Sequence, residues 1–187
     1  MSNKVKFGLK NVHYSTITVA EGGAVTYGTP KAIPGAVSMT MDPKGEKTEF
    51  YADDVAYFLA ESNQGYEGTL EIALITDDFK KDILQYINDS ATTGGLYEDA
   101  TKLPKPFALM FEFAGDALST RHIFYNVNVS RPAVSSRTRG ESIEVQTETM
   151  EMVASPGPNN IVKGSVKVGD TSYATFLDAV VSYTPPA

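Results

Sequence analysis

The sequence has 187 residues, a length that suits one domain whose core is large enough to fold without disulfide bonds or metal ions. It contains no cysteine, which excludes a disulfide framework, thiolate metal sites and cysteine nucleophiles. Sixteen basic and 23 acidic side chains give a formal net charge of -7, the opposite sign to that of most proteins that grip nucleic acid through its phosphates.

Membrane segments and targeting signals are not indicated by the sequence pattern. The N-terminal stretch MSNKVKFGLK contains no apolar run, so we expect no signal peptide. No stretch approaches the roughly 20 apolar residues that a membrane helix needs. The sequence therefore predicts a soluble protein that contacts no membrane, is made in the cytoplasm and leaves it only as part of a particle.

Strand patterns and turn signals dominate the chain. Asp42-Pro43-Lys44-Gly45 is a turn sequence between two strand-like runs, and the charged segment 42–66 is suited to a long projecting hairpin or loop. Apolar side chains recur with a period of two in residues 70–75, and the same period returns in residues 107–113 and 122–129. Such alternation predicts β-strands with distinct faces.

One helix is predicted after the first of these strands. Thr76 is suited to be its N-cap, and Asp77 and Asp78 would lie in the first turn, where carboxylates complement the helix dipole. Apolar residues follow at helical spacing, namely Phe79, Ile83, Leu84 and Ile87. We expect an amphipathic helix over about residues 76–89 that packs on a sheet.

The last third of the chain is less regular. Residues 131–141 are a polar loop sequence with three arginines. Residues 141–153 resemble a strand in which the apolar positions change phase, as a β-bulge or burial of both faces would explain. Ser155-Pro156-Gly157-Pro158 marks a break, and the apolar spacing after Thr171 is compatible with a second short helix or with a strand.

These elements predict a mainly β fold. We expect an antiparallel β-sandwich or barrel with one flanking α-helix, because an amphipathic helix must bury its apolar face against a sheet. The single domain would span residues 1–187, with its core over about residues 5–153 and a C-terminal arm over about residues 154–187.

No motif in the chain supports catalysis. Tyr51-Ala52-Asp53-Asp54 is similar to the metal-binding turn of reverse transcriptases, but a polymerase needs a longer chain and a basic template groove. His13 and His122 each lie in a strand pattern without evident partners for acid–base or metal chemistry. Phosphate-binding glycine loops and nucleophile elbows do not occur. We therefore expect a protein that is not an enzyme and has no catalytic residue, cofactor or metal site.

Short segments spread over residues 7–153 are similar, in order and spacing, to segments of the major tail proteins of siphophages that infect Gram-positive bacteria. They are GLKNVHY at 8–14, VTYGTP at 25–30, IPGAVS at 33–38, YADD at 51–54, GYEGTL at 65–70, the predicted helix from about Asp77, PFAL at 106–109, the Arg131-Pro132 turn and EVQT at 144–147.

The resemblance implies a tail-tube-like fold and a structural function. It implies hexameric rings that stack into a hollow tube, with a continuous β-barrel as the inner wall, through which DNA passes into the host without specific binding. The implied partners are further copies of the chain, a tape measure protein, a distal tail protein and a tail terminator. The implied location is the virion, after assembly in the host cytoplasm.

Two regions are candidates for contacts between subunits or rings. The segment 42–66 and the C-terminal arm are long and polar, which suits them to bridge adjacent rings. The candidate contact residues are Asp42, Lys44, Glu46, Lys47, Arg131, Arg137 and Arg139, and the arginines could pair with carboxylates on a neighbouring subunit. The net acidity also predicts that several carboxylates face the lumen and repel DNA phosphates.

Three other functions compete with this interpretation. The first is the tube subunit of a contractile tail or of a type VI-like secretion system, which differs by a sheath partner. The second is a soluble carbohydrate-binding β-sandwich, although ten tyrosines without a tryptophan fit that class less well. The third is an enzyme, which the missing motifs disfavour. Polymerisation of the purified chain would separate the tube proteins from the other two classes.

Overall fold

The computed structural model describes residues 7–52, 54–89, 94–116, 118–138, 145–157 and 160–183. In these ranges the strands are β1 (Leu9–Val19), β2 (Val25–Tyr27), β3 (Lys31–Ala32), β4 (Ala36–Lys44), β5 (Lys47–Ala52), β6 (Val55–Glu61), β7 (Gly65–Ile72), β8 (Ile87–Asp89), β9 (Gly95–Tyr97), β10 (Phe107–Phe113), β11 (Arg121–Val129), β12 (Glu148–Ala154) and β13 (Lys163–Val166). The helix α1 spans Asp77–Asp82. The predicted class, mainly β with antiparallel pairing and one flanking helix, is confirmed.

One antiparallel sheet organises the molecule. Within the described ranges its strand order is β2-β1-β10-β11-β12-β7-β4, with β3 also paired to β1 and β13 also paired to β11. β1 and β4 stand far apart in this order and nevertheless contact each other. The sheet therefore curls until two halves face each other as a sandwich, one built on β1, β10 and β11 and the other on β12, β7 and β4.

The main core lies between these two halves. Alternate residues of each strand point into it, as the period of two predicts. Its buried members include Leu70, Ile72, Phe107, Leu109, Phe111, Phe124, Met150 and Met152. Helix α1 contributes Phe79, whose ring meets the rings of Tyr14 and Phe107 edge-on at centroid distances of 5.0 and 5.3 Å.

The helix begins where the sequence predicts and ends earlier. The hydroxyl of Thr76 accepts a hydrogen bond from the Phe79 amide at 3.3 Å, which is the expected N-cap. After Asp82, however, the backbone leaves the helix, and Gln85 adopts a left-handed φ of 61°. The chain then enters β8, which pairs with β9. The residues predicted as the last helical turn are therefore a strand.

The C-terminal segment forms a second, smaller apolar layer. We call residues 167–183 the strap, because they cross the outer face of β10 and β11. Phe176 is 1% exposed and belongs to one cluster with Met110 and Ile123. The strap has neither a regular helix nor a strand, so neither interpretation of the segment after Thr171 is confirmed; successive turns bring its apolar residues to one side.

The strand predicted over residues 141–153 is described only from residue 145. β12 begins at Glu148 and pairs with β7 without a register shift. Met150, Met152 and Ala154 share its buried face, while Val145 is exposed and precedes the strand. Val145 therefore differs in phase from Met150 and Met152 because it precedes the strand. Ile143 lies outside the described residues.

Candidate assembly surfaces

The segment 42–66 forms a long hairpin that continues beyond the sandwich. β4 and β7 pair as far as Lys44 and Gly65, and the ladder continues in β5 and β6, which pair with each other from Lys47 opposite Glu61. Two backbone hydrogen bonds join the ladders, from the Gln64 amide to the Lys44 carbonyl at 2.8 Å and from the Ser62 amide to the Glu46 carbonyl at 2.9 Å. We call β5 and β6 with their connection the arm (residues 46–61).

The arm exposes an unusual amount of apolar surface. Phe50 and Phe58 stand opposite each other across its two strands, and each is 58% exposed. Further large apolar side chains on the arm are at least as exposed, namely Tyr51, Val55, Tyr57 and Leu59. Monomeric proteins rarely expose many large apolar side chains together, and such surfaces usually mark an interaction site.

The two faces of the arm differ in charge. Alternation along the strands places Phe50 and Phe58 on one face together with Thr48 and Ala60, all of them uncharged. The opposite face carries Lys47, Glu49 and Glu61 beside the exposed Leu59, and the Tyr51 hydroxyl donates to the Glu49 carboxylate at 2.5 Å. The arm is therefore amphipathic, and its phenylalanine face has no partner within the described part of this chain.

A second surface is the outer face of β4, β7 and β12. Its exposed or half-exposed side chains are Ser38, Thr40, Asp42, Glu67, Thr69, Glu71, Thr149, Glu151 and Val153. The register sets them in rows, such as Thr40 beside Thr69 and Thr69 beside Glu151. Four of the nine are carboxylates, and the one basic side chain that follows them in β4 is Lys44, which pairs with Glu67 at the rim, so this face is acidic on balance and rich in hydroxyl groups.

Two hydroxyl groups donate hydrogen bonds to the carboxylate of Glu71 and stabilise its negative charge. The hydroxyl of Thr147 donates to one oxygen of its carboxylate at 2.7 Å, and the hydroxyl of Ser38 donates to the other at 2.8 Å. Both hydrogen bonds favour the ionised form and hold the pKa of Glu71 below its usual value. The carboxylate therefore stays charged at neutral pH.

The outer face of β10 and β11, on the opposite side of the sandwich, contains a buried carboxylate with three hydrogen-bond donors. Glu112 of β10 is 4% exposed, and it accepts from Lys10 at 2.7 Å, from Asn11 at 2.9 Å and from Arg121 at 3.2 Å. Arg121 in turn donates to the Tyr173 carbonyl, and its guanidinium lies 4.2 Å from the centre of the Tyr173 ring. Sequence reasoning missed this network, which connects the strap to a buried carboxylate.

Four of the predicted contact residues lie at or near the base of the arm. Asp42 stands opposite Glu67 at the rim of the acidic face, and Lys44 forms an ion pair with Glu67 at 2.9 Å. Glu46 and Lys47 begin the arm. The structure thus brings these four together along one edge, where contact with another subunit stays a prediction.

The predicted arginines are not gathered into one cluster within the described residues. The Arg131 side chain pairs with Glu98 at 2.6 Å and donates to the carbonyls of Asp99 and Lys102 at 3.0 and 2.7 Å. It therefore ties the loop after β9 to the end of β11 in the same subunit. Arg137 is exposed, and Arg139 lies outside the described residues.

The residues considered for catalysis are dispersed. Asp54 has a left-handed φ of 60° in the turn between β5 and β6, and Asp53 lies outside the described residues. The His122 ring stacks on Phe111 with centroids 5.3 Å apart, while His13 Nδ1 lies 2.9 Å from the Asn11 carbonyl oxygen. The described residues hold no group of three or more histidines, aspartates or glutamates suited to a metal ion.

Comparison with known proteins leaves the family open. No protein-family model matches the chain, and no curated protein is significantly similar to it. No described helix has the length and apolar character needed to cross a membrane. Among the described residues, the arm and the acidic face are the two surfaces suited to contact another molecule.

Proposed function

We propose that this chain is a structural virion protein, the major tube subunit of a long-tailed phage. In this function it polymerises as stacked hexameric rings into a hollow tube through which DNA passes into the host. The proposal is supported by the ordered resemblance to siphophage major tail proteins and by the mainly antiparallel β fold that such a subunit requires.

The exposed phenylalanine face of the arm is the observation that supports this proposal most strongly. Its phenylalanine face would be a liability in a protein that acts as a monomer, because exposed apolar strands promote association. In a polymer the same face is buried at every repeat. A heterologous contact of this kind, made between two different patches of identical subunits, generates closed rings or open filaments. The arm is the segment that we propose to bridge adjacent rings. The predicted C-terminal arm instead packs largely on its own subunit, as β13 beside β11 and as the strap over β10 and β11.

The acidic face is the surface that we assign to the lumen. It is an open sheet face with four carboxylates, whereas the other outer face of the sandwich is covered by the strap. A wall of fixed negative charge repels phosphates and lets DNA pass without being held. The edge strand β4 of this half would allow it to pair with a strand of a neighbouring subunit and extend the inner wall.

The proposed partners follow from the tube function. They are further copies of the chain, a tape measure protein inside the growing tube, a distal tail protein at one end and a terminator at the other. A tube inside a contractile sheath would need the same surfaces, so that alternative differs only by its sheath partner.

The test is polymerisation of the purified full-length chain. Negative-stain electron microscopy should show rings or hollow tubes that form as the protein concentration rises. The matched variant replaces residues 47–61 by a two-residue turn joining the ends of the β4–β7 hairpin. This variant should keep the cooperative unfolding transition of the parent, since the arm adds nothing to the main core, and should remain monomeric. A parent chain that stays monomeric at millimolar concentration would contradict the proposal.

A second candidate function is favoured by the aromatic side chains of the arm. Carbohydrate-binding β-sandwiches present exposed aromatic rings to sugars, and Tyr51 and Tyr57 are 62% and 77% exposed. A glycan-binding screen separates the two functions, because a carbohydrate-binding module would bind as a monomer and lose binding in the Tyr51→Ala and Tyr57→Ala variants. A tube subunit would show no glycan binding.

A further inference from the structure

A cavity lies between β2 and the end of the strap. It has a volume of about 400 Å³, and its described lining residues, which include Tyr27, Tyr125, Ser182 and Tyr183, carry no charged side chain. The rings of Tyr27 and Tyr125 form one wall, tilted by 58° with their centroids 6.3 Å apart. The cavity has the size of a small-ligand pocket, and its walls combine aromatic rings with hydroxyl groups.

One hydrogen-bond donor at this cavity has no acceptor among the described residues. The Tyr27 hydroxyl is buried and makes no hydrogen bond there, whereas the Tyr125 hydroxyl donates to the Val181 carbonyl at 2.7 Å. Burial raises the pKa of Tyr27, so its hydroxyl keeps the proton at neutral pH. A buried donor without an acceptor is destabilising, and such groups are rare in folded proteins. Because the described lining holds no cation, an uncharged acceptor such as a peptide carbonyl suits the cavity better than a carboxylate.

The residues that follow the strap have this chemistry. Tyr183 lines the cavity, and the next residues of the chain are Thr184, Pro185 and Pro186, which lie outside the described residues. Proline has no N–H group, so the two prolines bring carbonyl acceptors and no donor. A polyproline helix forms no internal hydrogen bonds, and grooves lined with aromatic residues recognise it.

We propose that the cavity is the docking site of the chain's own Thr-Pro-Pro segment (184–186) in the polyproline conformation, with the Tyr27 hydroxyl donating to one of its carbonyls. Three residues in this conformation span about 9 Å, so the segment reaches the cavity directly from Tyr183. Covalent attachment gives the segment an effective concentration on the order of millimolar, which favours it over the same segment of a dilute second copy. The docked segment would latch the end of the strap against β2, in addition to the hydrogen bond that Val181 accepts.

Disulfide trapping tests the docking, because the chain has no cysteine of its own. Val25 lines the cavity, and Thr26 beside it points to the opposite face of β2. Full-length protein with Val25→Cys and Ala187→Cys is equilibrated with glutathione, and the matched control carries Thr26→Cys and Ala187→Cys. A disulfide requires Cα atoms within about 7 Å and Cβ atoms that point toward each other. We expect the effective concentration of the two thiols to be at least about 10-fold higher in the first protein than in the control.

Two further variants of the Val25→Cys and Ala187→Cys protein test the chemistry of the contact. Tyr27→Phe removes the hydroxyl and should lower the effective concentration about 5-fold, as expected for the loss of one hydrogen bond. Pro185→Ala removes two methylene groups from the cavity and should lower it about 10-fold. Equal trapping at positions 25 and 26, trapping only between molecules, or an unchanged value in either variant would overturn the proposal. None of these outcomes bears on the proposed tube function, because the site and the segment lie in one chain.

Discussion

Glu112 and Arg121 form the polar contact on which the outer face of β10 and β11 depends. The carboxylate is buried and has three donors, while the guanidinium also binds the strap through Tyr173. A buried ion pair of this kind adds little over an apolar pair of equal shape, but loss of one partner leaves the other charge uncompensated. The two residues should therefore tolerate joint replacement better than single replacement.

We predict that Arg121→Met lowers the free energy of unfolding by about 3 kcal/mol. Lys10→Met removes an ion pair whose lysine is nearly half exposed, and Arg121 and Asn11 still bond Glu112, so it should cost only about 1 kcal/mol. Urea denaturation of both variants measures the difference. The Glu112→Met and Arg121→Met double variant should recover part of the loss, and a strictly additive loss would contradict the explanation.

The same carboxylate predicts how stability depends on pH. Burial works to raise the pKa of Glu112, but the side-chain bonds from Lys10 and Arg121 outweigh it, so the pKa in the folded state is lowered. A lowered pKa stabilises the fold above the unfolded-state value of about 4.3, and this contribution is lost as the pH falls through the folded-state value.

We therefore predict that the free energy of unfolding declines as the pH falls below about 4.3. Glu112→Gln should flatten this decline while lowering stability at pH 7, because the amide carries no charge to lose. Denaturation series between pH 3 and pH 7 measure both slopes. Equal slopes for the parent and for Glu112→Gln would show that Glu112 is not the group responsible.

At the scale of elements, the strap depends on one side chain more than on any regular structure. Phe176 is its buried anchor, and the Tyr125 hydroxyl donates to the Val181 carbonyl at 2.7 Å further along. Hydrogen bonds inside the strap are short-range turns, which alone hold a segment weakly. The strap should therefore detach before the sandwich unfolds.

We predict that Phe176→Ala frees the strap without unfolding the sandwich. Amide hydrogen exchange should accelerate about 100-fold or more over residues 167–183, as expected when a contact worth about 3 kcal/mol is removed, and remain slow in β10 and β11. Val168→Ala, at an exposed position of the same segment, is the control and should change little. Uniform acceleration over the whole chain would mean that the strap and the sandwich unfold together.

Features that depend on neighbouring residues could be predicted from the sequence, whereas features that depend on distant pairing could not. The start of α1 was predictable because Thr76 and Asp77 act within one turn of chain. Its end was not, because the pairing of β8 with β9 overrides the helical spacing that continues to Ile87. Likewise the spacing around Phe176 fits a helix, although the turns dock the same side chains on β10 and β11.

Predicting the acidic face would have required knowledge of which strands pair and in which register. The acidic face exists only because Thr40, Thr69 and Glu151 are brought side by side by the register of three strands, which the sequence does not specify. The arm could be recognised in the sequence, because apolar and aromatic residues are consecutive at 50–51 and 55–60 between charged neighbours. Two phenylalanines in a charged hairpin are the part of the sequence that indicates this apolar surface.

At the scale of the whole molecule, the acidic face predicts how a tube assembled as we propose would treat DNA. Parent tubes should not bind a short duplex at about 0.15 M salt. Replacing Thr40, Thr69 and Glu151 by lysine should create binding that weakens with salt, with a logarithmic slope of roughly 2 to 3 for three phosphate contacts. Fluorescence anisotropy of a labelled duplex measures affinity and slope.

A second variant, with the same change in net charge placed on the strap, tests whether the acidic face lines the lumen. Lysines at Thr171, Thr175 and Asp178 change the net charge by the same amount on the strap, which covers the opposite side of the sandwich. Duplex bound to the first variant should resist a nuclease, since it lies in the lumen, whereas duplex bound to the strap variant should be digested. The reverse pattern would place the acidic face on the outside of the tube.

The junction at Gly45 has a mechanical consequence. Because the two ladders are joined by hydrogen bonds and closely packed there, the arm is a strut of set length rather than a tether. Struts of equal length make every repeat of a polymer equally long, so errors in spacing do not accumulate over many layers. In the tube that we propose, each layer would then add the same increment of length, so the length of the tube would be set by its number of layers.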